Sequence, residues 1–158
     1  MSICLRRREF IAGLGGTVVL PVLARAHQGE RMRRIGVLMP DDENDPVARP
    51  LVSAFTQALA GLGRTDGRNL RMDVRWGGGD PNRIRALGQE LVGLQPDIIL
   101  ANSTPATVAL KRETRTIPIV FVTVVDPVAS GIVERLDRPS GNITGFASLE
   151  ATLGGKVA

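Results

Sequence analysis

The chain has 158 residues, of which 43% are hydrophobic and only 3% aromatic. This length fits one domain of ordinary size, and a core of Val, Ile, Leu and Ala is typical of parallel strands packed against helices rather than of an aromatic-rich β-sandwich. The net charge of +4 comes largely from the first 26 residues, so the rest of the chain is nearly neutral, lacks clusters of basic and aromatic residues and predicts no nucleic-acid partner.

Residues 1–26 have the layout of a secretory signal peptide. Basic residues precede an apolar stretch from Phe10 to Leu23, and Ala24 and Ala26 supply the small residues of a cleavage site. The stretch has 14 residues, whereas a membrane-spanning helix needs about 20. Residues 7–11 also resemble the twin-arginine export signal, with Arg7, Arg8 and Phe10 in place. We expect export to the periplasm and cleavage after Ala26; the alternative is an amphipathic N-terminal helix that belongs to the fold.

Side chains for catalysis or metal binding are scarce after this leader. Cys4, the only cysteine, lies within the leader, and His27, the only histidine, would begin the mature chain. The sequence therefore contains neither a Ser-His or Cys-His nucleophile pair nor a conventional zinc site. We expect a protein that is not an enzyme and needs no metal or other cofactor, with residues 27–33 as a flexible mature N-terminus.

The first predicted strand and helix follow this N-terminus. Residues 34–39 form a compact apolar run that ends at Pro40 and an acidic loop over residues 41–45. Pro50 fits the first position of a helix. Gly63 is a typical C-terminal stop for that helix. Its predicted buried face recurs at helical spacing and comprises Leu51, Phe55, Leu59 and Leu62.

The second strand and helix are predicted from two different periodicities. Residues 70–76 alternate between apolar and charged side chains, which is the period of a half-exposed strand and most simply of an edge strand. Gly77–Gly79 ends this strand. Asp80 is a good N-cap with Pro81 behind it. The buried face of the helix that follows comprises Ile84, Leu87, Leu91 and Leu94.

Three further strands complete the pattern. Residues 97–101 and a run within 117–125 are apolar, as is typical of strands covered on both faces, and residues 142–146 form a short fifth strand. A helix is predicted from Pro105, and a short one after Asp126. Right-handed crossovers make this order a doubly wound parallel five-stranded α/β sheet with helices on both faces. With the alternating second strand at one edge, the strand order is 2-1-3-4-5.

The candidate site lies at the carboxyl ends of these strands, where such sheets bind ligands. Asn102, Ser103 and Thr104 come at a predicted helix N-terminus, where free N–H groups and the helix dipole favour a carboxylate or phosphate. The alternative is structural, with Thr104 capping the helix and Pro105 starting it. The role of Asp126 has the same two alternatives, because its carboxylate either caps its own helix or contacts an amino group of a ligand.

Five segments, taken in order, resemble a known family: RRIGVLMP, AFTQALAGLG, DIILANSTPAT, TIPIVFVTVVDPVASGIV and RPSGNITGF. The chain from Arg34 to Phe146 is similar to the periplasmic substrate-binding proteins of ABC importers, in the branch that includes tryptophan-binding members. The resemblance implies that residues 34–146 are the first lobe of a type I periplasmic-binding fold. It also implies that residues 147–158 start the crossover to a second lobe and are truncated there.

The resemblance implies a function as well. A protein of this kind binds a small solute, such as an amino acid, between its lobes and delivers it to an ABC permease in the inner membrane. Carried over by motif, the contacts of the first lobe fall on Asp41, Asn102, Ser103, Thr104 and Asp126, with Ser103 and Thr104 receiving a ligand carboxylate. The alternative is a self-contained exported α/β domain that senses a signal or binds a protein partner. A single lobe would also expose an apolar surface through which two copies dimerise weakly.

Overall fold

The computed structural model describes residues 31–137 and 141–148. Within them, strands and helices alternate from the N-terminus: β1 (Arg33–Met39), α1 (Ala48–Gly61), β2 (Leu70–Trp76), α2 (Pro81–Gly93), β3 (Ile98–Asn102), α3 (Ser103–Glu113), β4 (Ile119–Val125) and β5 (Ile143–Ser148). All paired strands are parallel and follow the order β2-β1-β3-β4-β5. The predicted fold class, the strand order and the edge position of β2 are confirmed.

Several predictions concern residues outside this described part. They are the export signal and its cleavage site at Arg7, Arg8, Phe10, Ala24 and Ala26, most of the N-terminal segment 27–33, and most of the crossover segment 147–158.

The core has two layers because successive side chains of a strand point to opposite faces of the sheet. Val37 and Met39 of β1 pack with Ala48 and other side chains of α1 on one face. Leu38, between them in sequence, joins the larger cluster formed with α2 and α3 on the other face. The predicted buried face of α2 is confirmed by Ile84 and Leu91, which are almost fully buried, and by its partly buried leucines.

The ends of the helices show how well local signals predicted them. The Asp80 side chain accepts a hydrogen bond of 2.8 Å from Asn82 N, and Pro81 is the first residue of α2, as predicted. α1 begins at Ala48 rather than at Pro50, because Asp45 Oδ1 accepts the N–H groups of Val47 and Ala48, both at 2.8 Å. These two hydrogen bonds lower the pKa of the Asp45 carboxyl, and the one from the Ala48 N–H has the larger effect.

The predicted buried face of α1 is partly wrong. Leu51 and Leu62 are 53% and 79% exposed, whereas Val52 and Phe55 pack against the sheet. Tertiary packing explains why Leu51 and Leu62 stay exposed. α1 packs mainly on β1 and β2 and leaves the neighbouring strands of that face uncovered. Helical spacing identifies the apolar residues of a helix, but it does not say which of them the sheet reaches.

The predicted short helix after Asp126 is also wrong, because residues 127–131 form turns instead. Ser130 N donates to the Asp126 carbonyl at 3.0 Å, and Ile132 N donates to the Pro127 carbonyl at 2.8 Å. Gly131 stops a further helical turn because its φ is +65°, in the left-handed region. Ile132 and Val133 are nevertheless buried, and they extend the core on the side of α2 and α3.

An ion pair ties the edge strand to β1. Arg34 Nε donates to Asp73 Oδ2 at 2.7 Å, and Arg34 Nη1 donates to the Leu94 carbonyl at 3.0 Å. The Asp73 side chain is only 13% exposed. The hydrogen bond from Arg34 is the main reason that the pKa of the Asp73 carboxyl is lowered.

Asp73→Asn is expected to destabilise the protein by about 1–2 kcal/mol at neutral pH, because the Arg34 guanidinium loses its charged acceptor. The folded-state pKa of Asp73 lies below its unfolded value of about 3.9, so its contribution is present above that value and is lost as the pH falls. Urea unfolding at pH 7 and pH 3 should therefore show a smaller loss on acidification for the variant than for the wild-type protein.

Glu43→Gln is the matched control for this measurement, because Glu43 is exposed and forms no ion pair among the described residues. It removes the same charge and should change neither the stability nor its pH dependence. An equal pH dependence for Asp73→Asn and the wild-type protein would contradict the stabilising role of this pair.

Candidate functional site

The carboxyl ends of the central strands border an open cleft of about 520 Å³. Asp41 lines it from the loop after β1, Asn102 and Ser103 from the junction of β3 and α3, and Thr123 from β4. Residues from β4 and from the segments that follow β1 and β3 therefore meet here, and three of the predicted site residues share one cleft. The other two, Thr104 and Asp126, are not among the residues that line it.

Asn102 and Ser103 form the start of α3. Asn102, not Thr104, is the N-cap, so the predicted capping role of Thr104 is wrong, and the Asn102 side chain makes no capping hydrogen bond. Ser103 has a φ of +70°, and its buried Oγ has no hydrogen-bond partner in the described part of the chain. A non-glycine residue in such a conformation costs about 1–3 kcal/mol. An unpaired buried hydroxyl has a similar cost.

The N-terminus of α3 gives this wall of the cleft an anion-binding character. N–H groups of the first helical turn lack partners within the helix, and the helix dipole places its positive end there. Thr107 Oγ1 donates to the Ser103 carbonyl at 2.7 Å and helps to fix this turn. Lys111 and Arg112 in the last turn complement the opposite end of the dipole. The unpaired Ser103 hydroxyl adds a donor beside the first-turn N–H groups.

The facing wall carries a carboxylate. Asp42 Oδ1 accepts the Asn44 N–H at 2.9 Å, and Asp45 caps α1. Asp41 is partly buried, and its carboxylate has no hydrogen-bond or ion-pair partner among residues 31–137 and 141–148. A cleft with a free carboxylate on one side and a helix N-terminus on the other can bind a small zwitterion. In the described part of the chain no three potential metal ligands cluster.

A glycine loop, Gly77–Gly79, holds Asp41 in position. Gly78 N donates to the Asp41 carbonyl at 2.9 Å, and Gly79 N donates to the Pro40 carbonyl at 2.7 Å. A Cβ atom on Gly77 would lie 2.4 Å from Ile84 Cγ1, so this position requires glycine. The sequence indicated only that these glycines end β2, because their partners lie far away in the chain.

The predicted role of Asp126 as the cap of its own helix is wrong, because that helix does not form, and its carboxylate stabilises a turn instead. Its Oδ1 accepts the Ala129 N–H at 2.9 Å, and the residue is exposed with a φ of +42°. Asp126 follows β4 directly and therefore lies beyond the same edge of the sheet as the cleft.

A second, apolar cavity of about 420 Å³ adjoins the cleft on the α1 face of the sheet. Its floor consists of side chains from β1, β3, β4 and β5, and its wall comes from α1. Phe146 is 73% exposed at its border. Leu51, Asn102 and Thr123 line both cavities, so the two are continuous. We call this second cavity the apolar groove.

Sequence comparison identifies the family to which this fold and cleft belong. The family described as ABC transporter substrate binding protein matches residues 44–153. The chain belongs to this family. Substrate-binding proteins of ABC transporters are extracytoplasmic, and no helix in the described part of this chain is long and apolar enough to cross a membrane. The Tyrosine-binding protein of Clostridioides difficile (strain R20291) is 34% identical over 102 residues, which are 63% of this chain and 30% of that protein.

Solved structures share the fold. A conserved domain protein from Vibrio cholerae O1 biovar El Tor has a TM-score of 0.70 at 31% identity, over 75% of this chain and 40% of its own. An ABC domain from Streptococcus pneumoniae in complex with L-Trp has a TM-score of 0.65 at 26% identity, over 73% and 38%. A ligand-free, open substrate-binding protein with adhesive properties from Clostridium difficile has a TM-score of 0.68 at 30% identity, over 77% and 42%. This chain therefore spans less than half the length of each of these proteins.

Proposed function

We propose that this chain binds an amino acid for an ABC-type importer, and that the amino acid is aromatic. The observation that carries the proposal is the lining of the cleft, which includes Ser103, whose buried hydroxyl is unpaired at a helix N-terminus, and Asp41, whose carboxylate has no partner among the described residues. These are complementary to the carboxylate and the ammonium group of an α-amino acid. The aromatic class is supported by two relatives, one named for binding tyrosine and one solved with L-Trp.

The carboxylate and the ammonium group of the solute are proposed to contact different residues. Ser103 and the N–H groups of the first turn of α3 receive the solute carboxylate, as helix N-termini bind anions. Asp41 receives the ammonium group through a charge-assisted hydrogen bond. Asn102, which also lines the cleft, is proposed as a further contact, and Thr104 and Asp126 are proposed as outer contacts at its rim.

Export and delivery belong to the same proposal. Arg7, Arg8 and Phe10 would direct the chain out of the cytoplasm, and cleavage after Ala26 would release it into the periplasm. There the solute would be passed to an ABC permease in the inner membrane. Family membership supports this route, since substrate-binding proteins of ABC transporters act outside the cytoplasm.

A second candidate function is favoured by the apolar groove. β3 and β4 present aliphatic side chains there, and the exposed Phe146 of β5 lies at the border. Contiguous apolar surface of this kind marks sites of protein–protein interaction. A self-contained exported domain that binds a protein partner, or a weak homodimer formed through this face, would use the groove rather than the cleft.

Titration of the ¹⁵N-labelled protein with L-tyrosine and L-tryptophan separates the two candidates. Solute binding should shift the amide signals around Asp41 and at the start of α3. Tyrosine amide, which lacks the carboxylate, and 3-(4-hydroxyphenyl)propionate, which lacks the ammonium group, should each bind at least about tenfold more weakly, since a hydrogen bond to a charged group contributes about 1.5–3 kcal/mol.

Asp41→Asn gives the residue-level control for this titration. It should weaken the binding of tyrosine but not that of the deaminated analogue, which has no ammonium group to lose. A protein that binds none of these compounds but forms a dimer by light scattering would overturn the proposal and favour the second candidate.

A further inference from the structure

Backbone strain in this protein is concentrated at one edge of the sheet. Among the described residues, four that are not glycine have a positive φ, and three of them lie at the carboxyl-terminal parts of β3 and β4: Ser103 directly after β3 at +70°, Thr123 within β4 at +57° and Asp126 directly after β4 at +42°. The fourth, Gln95 at +50°, lies in the turn after α2. Left-handed backbone is most unusual for a β-branched residue such as Thr123. Residues held in this way cluster at ligand sites, so Thr123 is a candidate for a functional role.

A β-bulge places Thr123 in this conformation. Phe121 of β4 pairs with Gly145 of β5, but the next pair is Val124 with Ala147, so two residues of β4 stand opposite the single residue Phe146. Such bulges bend a strand and turn a side chain away from the regular alternation, often next to binding sites. Here the bulge leaves the Thr123 side chain exposed at the boundary between the cleft and the apolar groove.

The chemistry of the Thr123 side chain is unused within the described part of the chain. Its exposed hydroxyl makes no hydrogen bond with the described residues, although Ser103 and Asn102 line the same cleft. If the bulge served the sheet alone, glycine or asparagine would adopt this backbone at less cost. A strained threonine with a free hydroxyl therefore points to a role outside the sheet.

We infer that Thr123 is a solute-contacting residue whose hydroxyl donates to the solute carboxylate at the start of α3, and whose methyl group closes the cleft toward the apolar groove. This inference rests on the proposed function and adds to it a residue from β4. It assigns the β4 bulge to solute recognition rather than to sheet geometry.

Three substitutions in the full chain test the inference, with L-tyrosine as the probe in the NMR titration. Thr123→Val keeps the shape but removes the hydroxyl, and it should weaken binding at least about fivefold. Thr123→Ser keeps the hydroxyl and should bind within about twofold of the wild-type protein. Thr123→Gly relieves the strain, so it should raise the melting temperature by about 2–6 °C while weakening binding.

Gln95→Gly is the matched control, because Gln95 has a similar φ but lies outside the cleft. It should raise the melting temperature in the same way and leave the affinity unchanged. If the wild-type protein binds tyrosine and Thr123→Val binds it with the same affinity, the inference about Thr123 is overturned while the proposed function stands. No binding of tyrosine by the wild-type protein would overturn the proposed function and, with it, this inference.

Discussion

Gly145→Val is expected to destabilise the protein severely. Gly145 lies in β5 directly beside Phe121 of β4, and a Cβ atom at this position would be 2.0 Å from the Phe121 carbonyl oxygen and 2.6 Å from Phe121 Cγ. The nearest atom belongs to the backbone of the adjacent strand, which cannot move aside without breaking its ladder to β3 as well. The loss should exceed about 4 kcal/mol, a large part of the stability of an ordinary domain.

Far-UV circular dichroism and urea unfolding measure this loss. Gly93→Ala is the control, because no atom lies within 4 Å of the added Cβ atom at the end of α2. It should leave the stability unchanged or raise it by about 0.5 kcal/mol. A native spectrum and an unchanged unfolding midpoint for Gly145→Val would show that β4 and β5 do not approach each other in this way.

The close approach at Gly145 also illustrates what the sequence predicts poorly. The alternating residues 70–76 predicted an edge strand, and Asp80 with Pro81 predicted the start of α2, because each signal is complete within a few residues. The tight contact and the bulge beside it depend instead on which residues β4 and β5 bring together. Threonine at position 123 is as typical of a regular strand as of this irregular one, so no local pattern indicates the bulge.

In the candidate site, too, some features could be predicted from the sequence and others could not. Its position at the carboxyl ends of the strands could be predicted, since parallel strands ordered by right-handed crossovers leave their loops at one edge. The pairing of Gly77–Gly79 with the loop that holds Asp41 could not, because those hydrogen bonds join separate strands. The N-cap was predicted two residues too late for a different reason: Ser103 adopts a left-handed backbone and still starts α3.

Ser103→Gly is expected to make the protein more stable and a weaker binder of tyrosine. Glycine adopts the φ of +70° without strain and removes the unpaired buried hydroxyl. Each of these terms is about 1–3 kcal/mol, against about 0.5–1 kcal/mol for the greater backbone entropy that glycine loses on folding, so a net gain of at least about 1 kcal/mol is expected. The affinity should fall at least about tenfold, because the solute carboxylate loses a charge-assisted hydrogen bond.

Ser103→Ala separates the two causes when both variants are compared by urea unfolding and by titration with L-tyrosine. Alanine removes the hydroxyl but keeps the strained backbone, so it should lose affinity like the glycine variant and gain less stability. Equal gains would mean that the unpaired hydroxyl, and not the φ angle, carries the cost. Wild-type affinity in both variants would remove Ser103 from the site and leave only the N–H groups of α3 to receive the carboxylate. A stabilising change that abolishes binding is the expected signature of a residue whose conformation serves the ligand rather than the fold.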